Sequence, residues 1–148
     1  MKNEYSLSPL ERGYKHLYLK GKPLDSIQDL KSFDDYFSEF GNFDDSFYKE
    51  HRNFALHTPI WDEDSLISEG RDINIMRYPR YLPSYEHCHN YLEIYYIYKL
   101  PATQIINQQP FPLDEGDLLI ISPGTHHSFN ITDDAGIIYL INIRKSTF

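Results

Sequence analysis

From residue 73 onward the chain is cut into six or seven short runs of β-branched and aromatic residues, and this segmentation limits the fold more than any other feature. The runs are Ile73 to Tyr78, Tyr91 to Tyr98, Thr103 to Asn107, Phe111 to Leu113, Leu118 to Ile121, His126 to Ile131 and Ile137 to Ile143. They recur at about ten-residue spacing and are separated by turn chemistry: Arg80 to Ser84 with its proline, Asn107-Gln108-Gln109, Asp114-Glu115-Gly116, Ser122-Pro123-Gly124 and Asp133-Asp134-Ala135-Gly136. No interval is long enough for the helical crossover that a parallel sheet requires, so the strands must pair largely antiparallel, as a sandwich or barrel. The expected class is mainly β.

The first 70 residues read differently. Between Asp25 and about Phe40, the apolar residues Ile27, Leu30, Phe33, Phe37 and Phe40 recur at three- and four-residue intervals behind an N-cap at Asp25 or Ser26, which predicts an amphipathic helix. A weaker helical stretch runs from Asp44 to about Arg52. The first 24 residues carry Tyr5, Tyr14 and Tyr18 without sustained periodicity and read as an arm or irregular packing segment. The expected organisation is therefore an arm and helical segment over 1–70, packed on a β-barrel over 71–148, in one structural domain. The helix would cover an open barrel end or pack against a second copy.

A chain of 148 residues can bury a substantial core without crosslinks. Its one cysteine excludes an intrachain disulfide and a cysteine zinc cluster, which fits a reducing, cytoplasmic setting. The N-terminus lacks the apolar core of a signal peptide, and no segment approaches the roughly 20 apolar residues of a membrane span. With 22 acidic against 14 basic residues the net charge is -8, and no basic cluster is visible, so this segment should repel nucleic-acid phosphates.

The most informative spacing is His87-Cys88-His89-Asn90-Tyr91-Leu92-Glu93. Positions 87, 89 and 93 share parity, and on a strand residues of one parity point to one face, so two imidazoles and a carboxylate converge. Some distance on, Gly116-Asp117 opens an apolar strand that ends in Ser122-Pro123-Gly124-Thr125-His126-His127, supplying another imidazole after a sharp turn. Three neutral imidazoles and one carboxylate suit a divalent transition metal such as Zn, Ni, Fe, Mn or Co, with positions left for water or ligand.

The pairing of HCHNYLE with GDLLIISPGTHH resembles the two motifs of the cupin superfamily, the small double-stranded β-helix or jelly-roll barrel. The resemblance assigns His87, His89 and Glu93 to the first motif and Pro123, Gly124 and His127 to the second. A glycine usual about seven residues after the glutamate is replaced near Leu100-Pro101, so that turn must be built differently. More narrowly, RYLPSYEHCHNYLEIYYIY, EGDLLIISPGTHHSF and LINIRKSTF resemble the sensory half of AraC/XylS-family transcription regulators. That resemblance implies a cytoplasmic domain that binds a small polar effector such as a sugar, or forms a homodimer, while DNA is bound by paired helix-turn-helix units further along the chain. No such units occur here, and the sequence is expected to be a piece of a longer protein.

The expected ligand-binding residues are His87, His89, Glu93, Tyr95 and His127, of which His87, His89, Glu93 and His127 would also hold a metal. The bland alternative is a polar pocket lining without metal. Glu93, if inward, demands a cation, histidinium or donor, because burying a carboxylate costs several kcal/mol. Tyr95 is in phase with the cup; Tyr91 and Tyr98 are read as packing residues, Cys88 as a small apolar residue pointing away, and His126 as a turn or surface residue. Gly116 and Pro123-Gly124 shape corners. Catalysis is not expected; the competing functions are a metal-dependent cupin enzyme, isomerase or dioxygenase, and a pure dimerisation module.

Overall fold

The computed structural model describes residues 5–21, 45–46, 49, 60–84 and 86–148. The helix expected between Asp25 and Phe40 lies outside these residues, as does most of the stretch from Asp44 to Arg52, of which positions 45, 46 and 49 are helical. The chain forms two compact units, one of 58–78, 86–129 and 135–148, the other of 1–57, 79–85 and 130–134.

The first of these units is the β-structure. Its elements are β1 (Ile60–Trp61), α2 (Glu63–Leu66), β2 (Ile73–Arg77), β3 (Cys88–His89), β4 (Leu92–Lys99), β5 (Ala102–Ile106), β6 (Gln109–Leu113), β7 (Leu118–Ile121), β8 (His127–Ser128) and β9 (Ile137–Ile143). A four-stranded antiparallel sheet has the order β2-β9-β4-β7, and a three-stranded one the order β6-β5-β8. β1 and β3 form a short parallel pair. The expected mainly β architecture and all seven expected strands are present. The two apolar runs Leu118 to Ile121 and Ile137 to Ile143 are strands over their full predicted length.

Strand register decides which side chains face inward. In the four-stranded sheet Glu93 lies opposite both Ile121 and Asn142, and Tyr95 opposite both Leu119 and Leu140. Alternation then places Tyr95, Ile97, Ile121, Ile138 and Leu140 in the core. Phe129 meets Tyr78 and Tyr95 edge-on, each at a centroid distance of 5.3 Å, a geometry worth about 0.5–1.5 kcal/mol per pair beyond area burial. The Tyr78 hydroxyl donates to the Phe129 carbonyl at 3.1 Å.

The turns explain where the sequence departs from the usual motif. In place of the missing glycine, Leu100 itself adopts φ +64, and its N–H donates to the Glu115 carboxylate at 2.7 Å. A non-glycine residue in that region costs roughly 1–2 kcal/mol, which this side-chain bond helps to offset. Asn107 and Gln108, at φ +47 and +66, form the two-residue hairpin turn between β5 and β6.

In the second unit, residues 9–19 are helical, contrary to the irregular arm expected there. α1 (Pro9–Leu19) begins with a capping box in which the Ser8 hydroxyl accepts from the Glu11 N–H and the Glu11 carboxylate accepts from the Ser8 N–H. Pro9 occupies the first turn, where its missing N–H costs nothing. Leu10, Gly13, Tyr14 and Leu17 form its buried stripe. Glu11 is buried as well, and its carboxylate accepts from the main chain and guanidinium of Arg80 at 2.8–2.9 Å. Arg80 also donates to the carbonyls of Tyr5, Ser6 and Asp134. Hydrogen bonds from Arg80 and Ser8 hold the Glu11 carboxyl below its ordinary value although burial pushes the other way.

Candidate functional site

The site is assembled by main-chain pairing. His87 and His127 form an antiparallel bridge, each N–H donating to the other's carbonyl at 2.9 Å. Their rings lie 4.3 Å apart between centroids. The Gly124 N–H donates to the His89 carbonyl at 2.8 Å, so the proline-glycine turn is fastened directly to the first motif. Gly124 has φ +80, which lets the chain reverse there without the strain a side chain would bring.

The chain bends at Asn90 and Tyr91 between β3 and β4, yet the odd-numbered residues His87, His89, Tyr91, Glu93 and Tyr95 are all buried. Glu93 is the hub. Its Oε2 lies 3.0 Å from His89 Nε2 and 3.0 Å from His127 Nε2. The ligating atoms of His87, Glu93 and His127 all lie within 4.8 Å of one another, while His89 joins this group through Glu93. The four side chains singled out by spacing thus converge in one buried place, and Tyr95 stands beside them, 6.3 Å from the His127 ring.

The opposite ends of two rings settle their protonation pattern. His89 Nδ1 faces the Tyr91 carbonyl at 2.8 Å and His127 Nδ1 faces the Thr125 carbonyl at 2.9 Å. A carbonyl can only accept, so Nδ1 carries the hydrogen in both rings. The neutral imidazoles then direct two Nε2 lone pairs at one carboxylate oxygen, an arrangement relieved by protonation of the rings or by a shared cation. Nδ1 bonded to a carbonyl with Nε2 free is also how a metal-ligating histidine is oriented. The donor set therefore fits a divalent transition metal.

Burial alone would raise the Glu93 carboxyl, but hydrogen bonds from His127 and His89 outweigh it and hold the group down to about 2. The hydroxyls of Tyr78, Tyr91 and Tyr95 are pushed upward by burial and then by the Glu93 charge, so they stay protonated at neutral pH.

Three interior residues escaped the sequence reading. Gln104 on β5 and Asn142 on β9 are fully buried, yet neither atom of either amide has a hydrogen-bond partner. Gln104 lies near enough to the Tyr95 hydroxyl to bias its ionisation, but not within hydrogen-bond distance. The hydroxyl of Tyr91, whose ring stacks on His89 at 4.2 Å, is likewise buried without a partner. No sequence signal marks them, because polar residues in alternating strands ordinarily face solvent. Tyr98 lies on the outer side, 44% exposed, and His126 is exposed beside Glu86 at 3.6 Å. Cys88 is buried and reduced.

With this geometry in place, the kind of protein can be stated. Residues 75–141 match the family model of the AraC-like ligand binding domain. The β-unit is a cupin-type barrel, and this segment belongs to the AraC sensory class of such domains. None of the curated proteins compared matches the chain. Among solved structures it is similar to the EutQ protein of Clostridium difficile, with 19% identity, a TM-score of 0.39 and coverage of 49% of this chain and 55% of that one. It is also similar to a cupin protein from Bacteroides fragilis, with 22% identity, a TM-score of 0.41 and coverage of 51% and 67%. An RmlC-like cupin from Shewanella frigidimarina gives 15% identity, a TM-score of 0.43 and coverage of 52% and 72%. This chain spans between about half and three quarters of the length of these neighbours.

Proposed function

We propose that this chain is the effector-sensing part of an AraC/XylS-type transcription regulator, acting in the cytoplasm, with the DNA-binding duty carried by a separate part of the whole protein. The effector is a small polar molecule, a neutral sugar or sugar-like metabolite being the preferred class. His87, His89, Glu93, Tyr95 and His127 bind it, joined by Gln104, Asn142 and Tyr91. A divalent transition metal held by His87, Glu93 and His127, with His89 beside them, would supply positive charge to polarise effector oxygens.

The observation that carries this reading is the set of partnerless polar atoms on Tyr91, Gln104 and Asn142. Each such atom costs about 1–3 kcal/mol when buried, a cost recovered when a polar occupant bonds to it. Hydroxyl groups both donate and accept, so they match carboxamides, which do the same. Among the described residues of this unit, the buried polar side chains include no lysine or arginine to receive an anion. Sensing is favoured over catalysis because the interior groups outside the ligand set are amides and hydroxyls that hold their protons, which offers no base poised near neutral pH.

The test is thermal denaturation of the purified chain, free of any polyhistidine tag, against Zn, Ni, Mn, Fe and Co salts and a panel of neutral sugars and anionic sugar phosphates. A ligand at a hundred times its Kd stabilises the folded state by about 2.7 kcal/mol. Stabilisation by neutral sugars that Glu93→Gln and Asn142→Leu abolish is the expected result. Stabilisation only by the anionic compounds, or by no compound, would refute the proposed effector class.

A further inference from the structure

The outer face of the four-stranded sheet is apolar across its full width. Register aligns Ile75, Ile141, Ile94 and Ile120 in one row from β2 through β9 and β4 to β7. Beside that row lie Ile73 and Leu118, and the four side chains at the sheet's margins, Ile73, Ile75, Leu118 and Ile120, are 48–65% exposed. A strand that faces solvent on one side alternates apolar with polar residues, whereas these strands are apolar on both sides, the pattern of a sheet covered on both faces. Among the described residues of the four strands, the outward side chains include one charged group, Arg77, and no acid, although the whole chain carries 22 acidic residues.

We infer that a second copy of this chain covers this face, the two sheets meeting through a two-fold axis that brings one isoleucine row against the other. Two arguments select this occupant. The face leaves on the order of 500 Å² of apolar surface open, above the few hundred Å² usual for one patch on a monomer and a large part of the ~800 Å² per partner in a stable interface. Secondly, a chain with net charge -8 repels its own image wherever acids line the contact, and this acid-free face is where two copies can approach. The inference takes from the proposed regulator only the purpose of pairing. Because association is measured without metal or effector, failure of the pocket reading leaves it standing, and the reverse also holds.

Sedimentation equilibrium from micromolar to millimolar protein tests it. The expected result is a reversible dimer whose dissociation constant rises ~100-fold or more in Ile75→Glu/Ile120→Glu, since each dimer would bury unpaired carboxylates. Phe111→Glu, at an exposed position on β6 of the other sheet, should leave the dimer unchanged. Single variants Ile75→Lys and Ile120→Lys, checked by circular dichroism for an intact fold, keep the test valid should the double variant misfold. A monomer throughout the concentration range, as when another segment of the same chain covers the face, would overturn the inference, as would a dimer that folded variants fail to weaken.

Discussion

His87 and His127, forty residues apart in sequence, exchange both of their main-chain hydrogen bonds, and their imidazoles stand side by side as a direct result. The pairing belongs to the backbone and does not depend on either side chain. Replacing His127 with alanine should therefore leave the fold intact while weakening capture of Zn or Ni by about 10–100-fold. Glu93→Gln should lose at least as much, because its carboxylate is the group both rings address. The rings and the acid act on one ion, so the double variant should fall well short of the sum of the two losses. Isothermal titration with the metal alone checks all three.

Asn142 places a carboxamide where nothing in the protein bonds to it. Asn142→Leu is expected to stabilise the ligand-free chain by about 1–3 kcal/mol while erasing the thermal response to sugars. Urea denaturation and thermal shift measure the two halves of this exchange separately. Loss of stability in the ligand-free variant would contradict it.

The buried Glu11–Arg80 pair predicts an acid-sensitive second unit. Glu11 has its pKa lowered in the folded state, so its stabilising contribution is complete above the unfolded value of 4.5 and is lost as pH falls through the folded value below it. Urea midpoints should hold steady from neutral pH to about 5 and then fall, and Glu11→Gln should flatten that fall. Arg80→Met, which leaves the carboxylate buried and unpaired, should cost about 3–5 kcal/mol at pH 7.

Two turns predict opposite effects of glycine and alanine. Gly124 has φ +80 with open space where an added methyl group would stand, so Gly124→Ala should cost only the backbone strain of about 1–2 kcal/mol and loosen metal capture through the His89 carbonyl. Leu100→Gly, which removes strain at φ +64, should be neutral or stabilising by up to about 1 kcal/mol, against the usual cost of glycine elsewhere. Chemical denaturation of both variants reads the difference.

Where local chemistry repeats, the sequence is a good guide. Leu118 to Ile121 and Ile137 to Ile143 can be bounded correctly because each is an apolar run closed by turn residues, and the shared parity of 87, 89 and 93 carries through a bend that keeps it intact. α1 escapes notice although Ser8 and Glu11 spell a capping box. Its buried stripe uses Gly13 and Tyr14 among Leu10 and Leu17, so hydrophobicity alone shows a weak period. Other features depend on strand register, which sequence does not display. Asn142 is inward because it lies opposite Glu93, and Gln104 because β5 turns that edge to the interior. Arg80 and Glu11 are 69 residues apart and each reads as an ordinary surface charge until the chain brings them together.

The carbonyls of Tyr91 and Thr125 hold His89 and His127 by their far nitrogens, which fixes both rings before any guest arrives. Loading such a centre requires no rotation of its arms, so the pace of filling is governed by the width of the doorway and the stripping of water from the incoming species. A sensor built this way answers quickly to supply and releases slowly.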